Sequence, residues 1–250
     1  MFVNIIFFIS YSFLIMLSTI GYGLIFRKFF LIQNDYINLS IVGIFGLFLL
    51  YLISFTTHIF VPHNYLHNIF ILIIGLVLFF GFKSKIEIKN FKIILLFFLL
   101  LFVGFIISKT NEDFPFYHLP LSLQIAEQKL QFGLGNLNFA YNHWSSLFLI
   151  NSLFYLPLVE IYLFNLTNFL FQIFFFSSLI MLLDSQKTPK FALILISFTF
   201  LVFITKFNRL AEYGVDYAGQ LLVTLSIIYC SFSLFKNKYT NNERKLLSIF

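Results

Sequence analysis

The chain has 250 residues, 60% of them hydrophobic and only 10% charged, with a mean hydropathy of +0.94. A soluble domain carries about 25% charged residues, so a soluble globular fold is excluded. The net charge of +6 does not mark a nucleic-acid surface, because the basic residues sit at the ends of apolar segments, as topology signals do.

Crossing a bilayer takes about 20 apolar residues. Taken in chain order, residues 2–26, 39–60, 65–82, 91–108, 161–183, 191–206 and 217–235 read as seven spans. The expected fold is all-α: a polytopic transmembrane helical bundle with amphipathic helices in one long loop. No repeat or linker divides it, so 1–250 reads as a single membrane domain. The first run has no basic residues ahead of it and no small-residue cleavage site, and reads as a retained span rather than a signal. Residues 246–250 open another apolar run, which reads as the start of an eighth span in a longer native protein. The one cysteine, Cys230, excludes an intrachain disulfide and reads as an apolar packing residue.

Lysine and arginine set the orientation. Arg27, Lys28, Lys83, Lys85, Lys89, Lys92, Lys187, Lys190, Lys236, Lys238, Arg244 and Lys245 share one set of loops. The other set holds Lys109, Lys129, Lys206 and Arg209. The positive-inside rule makes the first set cytoplasmic. The N-terminus and the 109–160 loop are then outside, which is the periplasm for a bacterial inner membrane. All five histidines fall on that side: His58, His63, His67, His118 and His143.

The loop from 109 to 146 is the only long one, and long loops in compact domains are commonly functional. It opens with "NEDFPFYHLPLSLQ", residues 111–124. Asp113, where the fourth span ends, has the chemistry of a general base toward an acceptor hydroxyl or of a ligand to a divalent cation. Glu112 either shares that role or perturbs its neighbour by like charge. The structural alternative is that Asn111 or Asp113 caps a helix starting near Pro115. From Pro120 on, Leu119, Leu123, Ala126 and Leu130 form an apolar stripe, which Leu121 and Ile125 blur. This predicts an amphipathic helix on the outer membrane surface. "FGLGNLN" ends it, with Gly133 and Gly135 allowing a tight, close-approach backbone. Residues 146–158 are too short to span and read as a re-entrant or interfacial helix.

A second outer patch, "NRLAEYGVDYAGQ" at 208–220, brings Arg209, Glu212 and Asp216 to the same side. Taken by itself it reads as a solvated loop with an Arg–Glu pair. His58, His63 and His67 bracket a short loop. His63 and His67 have the spacing of a helical zinc pair, but Pro62 and the missing acidic ligand favour interfacial anchoring. Glu160 reads as a cap or as an acid at the membrane edge. Nucleotide-binding, serine-hydrolase and zincin motifs are absent.

Asp113-x-x-x-Tyr117-His118, then Gly133-Leu134-Gly135-Asn136-Leu137, then Ser145-Ser146 resembles an uncharacterised group of bacterial multi-pass membrane proteins with this signature in a periplasmic loop. "EYGVD" at 212–216 resembles that group's later outer loop. The group in turn is similar to GT-C-type glycosyltransferases, which use polyprenyl-phosphate-linked sugars and place an acidic motif in the first outer loop of their core. Three extra spans precede that core here.

The resemblance implies transfer of a sugar from a polyprenyl-phosphate donor to a periplasmic glycan or lipid. Asp113 and Glu112 would be catalytic, and any divalent cation would bind at Asp113. Tyr117, His118 and Asn136 would orient substrate. Arg209 would hold the donor phosphate, with Glu212 and Asp216 completing the substrate site. Membrane lipids are the expected surroundings and no nucleic-acid partner is expected. The alternatives are a non-enzymatic transporter or flippase of lipid-linked glycans, which predicts charges lining the spans, and a structural subunit of an envelope-glycan assembly.

Overall fold

The structure is a computed structural model, and it describes residues 2–30, 38–82, 86–107, 112–183, 190–206, 209, 213 and 216–234. It is all-α. The helices are α1 (Phe2–Phe30), α2 (Leu39–His58), α3 (Tyr65–Phe82), α4 (Ile88–Ile106), α5 (Leu119–Glu127), α6 (Leu134–Leu137), α7 (Ser146–Leu153), α8 (Leu166–Leu183), α9 (Lys190–Thr205) and α10 (Asp216–Leu234). Among the described residues there is no strand, only an isolated bridge between Leu156 and Glu160.

Five stretches are long and apolar enough to cross a membrane: Ile5–Phe29, Leu39–His58, Tyr65–Phe82, Ile88–Ile106 and Ile161–Leu183. The other two expected spans are helices that fall short of that standard. α9 is apolar but has 16 residues, about 24 Å at 1.5 Å per residue against a hydrocarbon core of about 30 Å. α10 has 19 residues but carries Gln220, Thr224 and Ser226, which lower its apolarity. The apolar run expected at 246–250 lies outside the described residues.

α8 is the axis of the bundle. Every residue from 166 to 179 is buried, as expected of a helix that is apolar all round. It packs against α2, α4, α9 and α10. Phe169 is the hub, stacked on Phe105 at 4.6 Å between ring centroids and edge-on to Phe98 at 5.5 Å. α1 packs on α2 and α3 through small residues. A Cβ on Gly46 would lie 1.9 Å from the Thr19 carbonyl oxygen, and one on Gly21 would lie 2.0 Å from that of Gly75. Small residues let helix backbones approach this closely in lipid, where packing rather than water exclusion drives association.

The connections after α2 and α4 meet at one end, the loop pole, and Tyr213, ahead of α10, joins them there. There the Leu130 N–H donates to the His58 carbonyl at 2.9 Å, and the His63 N–H donates to the Ile125 carbonyl at 3.1 Å. At the opposite pole Asn38 caps α2 by accepting from the Ser40 N–H, and its amide donates to Tyr229 of α10 and to the Ser178 carbonyl of α8. Cys230 is exposed on α10 rather than packed in the core.

Candidate functional site

The loop pole is organised by a wide helical turn. Residues 114–118 form a π-turn, closed by the Leu119 N–H donating to the Phe114 carbonyl. Pro115 lies within this turn and Pro120 just after it, and neither carries an N–H, so the ordinary four-residue bond cannot form at either; such π-turns recur at functional sites. The extra residue rotates the helix downstream of it. His118, Leu121, Ser122, Ile125 and Ala126 make the buried face. The face turned into the protein is thus not the stripe of Leu119, Leu123, Ala126 and Leu130. Only Ala126 is buried, and Leu130 lies beyond the end of α5. α5 packs against α7, whose residues 147–153 are all buried.

His118 joins this loop to the second one. Its Nδ1–H donates to the Tyr213 carbonyl at 2.9 Å, so the tautomer is set by the acceptor-only partner. The Tyr213 hydroxyl returns toward the His118 carbonyl at 3.4 Å and pairs with the Ser122 hydroxyl. The Tyr213 ring is 1% exposed, edge-on to Phe114 at 5.0 Å. Burial pushes its phenol pKa above the ordinary tyrosine range, against the pull of Ser122 and Asn151.

Above this anchor lies a cleft of about 490 Å³. Asp113, Tyr117 and His143 supply its titratable groups, and Phe116, Asn138, Phe139 and Ala140 the rest of its lining. Asp113 occupies the N-cap position of the π-turn but makes no capping bond with its side chain, so the capping role is not what holds it there. Its carboxylate is exposed at the cleft. Tyr117 lies between the two loops. Partial burial raises its phenol pKa first, and the negative charges of Asp113 and Asp216 raise it further. Two acids more than a hundred residues apart therefore act on one phenol.

The remaining expected residues divide. Glu112 is exposed and does not line the cleft. His118 is 2% exposed, under the cleft rather than in it. Asn136 is exposed on α6, and Asn138, two residues on, lines the cleft instead. Arg209 is half-buried, with its charge felt by the Tyr217 phenol. Glu212 lies outside the described residues. Gly133 adopts φ +80°, and a Cβ on Gly135 would meet the Asn142 side chain at 2.0 Å. Both glycines thus do what the sequence required of them, seating the 138–143 turn against the π-turn. Phe116, Asn138, Phe139 and His143 had only a weak signal: aromatic and amide residues clustered in the loop without periodicity.

With this geometry in hand, the comparison with known families is direct: a family model described as a domain of unknown function, DUF8201, matches residues 5–250. The chain belongs to the DUF8201 family. No curated protein and no solved structure matches it.

In this DUF8201 chain His58, His63 and His67 form a brace packed within the fold rather than interfacial anchors, with His58 and His63 buried and His67 half-buried. His63 is fully buried, stacked on His67 at 4.8 Å and tilted against His58 at 5.2 Å. Its Nδ1 bonds Ser152 at 2.7 Å, and its Nε2 lies 3.3 Å from Thr57. The Asn68 amide donates to the carbonyls of His63, Ser152 and Tyr155. Burial lowers the His63 pKa to about 3, with His67 and His58 adding like-charge cost. Stacked rings cannot aim at one ion, and among the described residues no three His, Cys, Asp or Glu gather as a metal requires. Among the described residues neither the histidines nor Asp113 has the further ligands of a metal centre, and no chemical step is assigned to a cation. Glu160 makes no capping bond and adopts φ 45° at the turn into Ile161–Leu163.

Proposed function

We propose that this DUF8201 chain is an integral-membrane glycosyltransferase of GT-C type. It would move a sugar from a polyprenyl-phosphate donor to a glycan or lipid on the periplasmic side of a bacterial inner membrane. One observation carries the proposal: the Asp113 carboxylate makes no cap and faces a cleft beside Tyr117, whose phenol also feels the charge of Asp216 at the start of α10. In the proposed step, Asp113 takes the proton of an acceptor hydroxyl. The acceptor oxygen bonds the anomeric carbon, and the bond to the phosphate oxygen breaks with its electron pair. Polyprenyl phosphate leaves, its charge held by Arg209. Tyr117 positions the acceptor, and His118 and Tyr213 hold the two loops together.

The transporter reading has less support. It needs charge along a path through the spans, and among the described residues no Asp, Glu, Lys or Arg is buried. The test compares surface glycans by mass spectrometry in a deletion strain of the native host, complemented with wild type or Asp113→Asn at equal membrane abundance. Loss of a general base costs about 10²- to 10⁴-fold, so Asp113→Asn should leave the sugar missing. Full restoration by Asp113→Asn would sink the proposal and favour a structural subunit.

A further inference from the structure

We infer that the loop-pole cleft is the acceptor subsite and takes an uncharged pyranose ring, stacked between Phe116 and Phe139. Its role toward an acceptor rests on the transfer reading above; the ligand class does not.

The walls make the first argument. Phe116 is 69% exposed and Phe139 78% exposed, although Phe114 and Phe148 beside them are packed into the loop core. Neither ring is packed into the loop core, yet both line the cleft that holds the Asp113 carboxylate. A pyranose has an apolar C–H face and an equatorial rim of hydroxyls. Aromatic faces suit the former; charge-assisted bonds from hydroxyls to Asp113 suit the latter. The Asn138 side-chain oxygen already accepts from the Ala140 N–H at 3.0 Å, which leaves its amide as a donor. His143, whose ring lies 5.9 Å from Tyr117 and 6.3 Å from Phe139, closes the group.

Charge makes the second argument. No lysine or arginine is among the described residues that line the cleft. Asp113 is there, and Asp216 is near enough to act on Tyr117. A phosphate or a uronate would meet carboxylate with no cation to offset it among the described lining residues. The donor phosphate therefore sits elsewhere, on the side where Arg209 stands beside Tyr217. Size agrees: about 490 Å³ is within the usual range for small-molecule sites, about 300–1,000 Å³.

The experiment uses the full chain purified in detergent, with no donor present. Saturation-transfer NMR is recorded with the methyl pyranosides of glucose, galactose, mannose and N-acetylglucosamine, and with glucose phosphate and galacturonate. Fluorescence of Trp144, the single tryptophan and the neighbour of His143, tracks the same titrations. At least one uncharged pyranoside should bind saturably through its C–H face. The two anionic sugars should bind at least tenfold more weakly. Phe139→Ala and Phe116→Ala should each weaken the pyranoside by about tenfold, with the helical circular dichroism unchanged. Binding of no uncharged pyranoside by either readout overturns the inference, as does equal or tighter binding of the anionic sugars. So does a Phe139→Ala, Phe116→Ala double variant that binds as wild type. The outcomes separate the two proposals. Pyranoside binding in a chain whose Asp113→Asn variant restores the glycan leaves the subsite and removes the transferase. No binding, with Asp113→Asn inactive, does the reverse.

Discussion

His118 and Tyr213 hold each other in both directions: the imidazole donates to the Tyr213 carbonyl at 2.9 Å, and the Tyr213 hydroxyl points back to the His118 carbonyl at 3.4 Å. This clasp fixes the second loop on the first, and with it the distance of Asp216 from Tyr117. Tyr213→Phe keeps the ring but leaves the buried Ser122 hydroxyl without this partner. An unsatisfied buried hydroxyl costs about 1–3 kcal/mol, and we expect that loss in unfolding of the detergent-solubilised chain. Glycan transfer should fall as well, although Tyr213 lines no part of the cleft. A Tyr213→Phe chain as stable as wild type would show that the clasp is incidental.

Tyr117 offers a direct check that the loops converge. Its phenol sits above the ordinary value of 10.0 because of burial, then Asp113, then Asp216. Removing a negative charge eases ionisation. Asp113→Asn and Asp216→Asn should therefore each lower the Tyr117 pKa, and the double variant should lower it most. NMR titration of ring-labelled tyrosine, assigned with Tyr117→Phe, measures it. No movement in Asp216→Asn would place that acid away from the cleft.

The histidine brace gives the chain an acid-sensitive joint. His63 has a folded pKa of about 3 against an ordinary 6.5. A base with a lowered folded pKa is neutral in the fold, so below about 6.5 the unfolded chain takes up the proton first. Stability is full above about 6.5 and is lost as the pH falls toward 3, by up to about 1.4 kcal/mol per unit. We expect wild type to weaken between neutrality and pH 5, and His63→Leu to flatten that slope while lowering stability at every pH. Thermal unfolding across this window decides it.

Two glycines should behave oppositely under substitution. Gly46→Val pushes a side chain into the Thr19 carbonyl, backbone that has no room to yield. Overpacking of this kind costs about 1–3 kcal/mol, and the α1–α2 pair should separate. Gly81 in α3 has nothing within 4 Å of a Cβ. Gly81→Ala should stabilise by up to about 1 kcal/mol through helix propensity. Parallel unfolding curves of the two variants test the packing of α1 directly.

Gln172 is fully buried in α8, and neither of its amide atoms has a hydrogen-bond partner among the described residues. Leaving such a group unsatisfied costs about 1–3 kcal/mol. Gln172→Leu is similar in volume and should raise stability. If it lowers both stability and glycan transfer, the amide serves a ligand or a partner in the bundle.

Much of the fold was legible in the sequence because the bilayer imposes a crude rule. Twenty apolar residues form a helix since no other backbone arrangement satisfies itself in lipid. The two glycines of "FGLGNLN" were legible for a similarly local reason, a positive φ at one and a missing Cβ at the other. The rotation of α5 was not. Leucines and an isoleucine lie all round α5, and only its packing against α7 selects Leu121, Ile125 and Ala126 as the buried face. The burial of His63 was hidden too, because Ser152, which receives it, acts from α7, 89 residues along the chain.

Composition and spacing alone thus determined an all-α chain of long apolar helices with its acids and histidines concentrated in a few connections. Only the tertiary structure decided which of them act together. Asp113, Tyr117 and Asp216 share one field, while His118 and His63 are turned inward as braces. The physical reason is that a span's identity depends on its own residues, whereas a site depends on contacts between segments far apart in sequence. Here one buried tyrosine, Tyr213, makes the decisive contact.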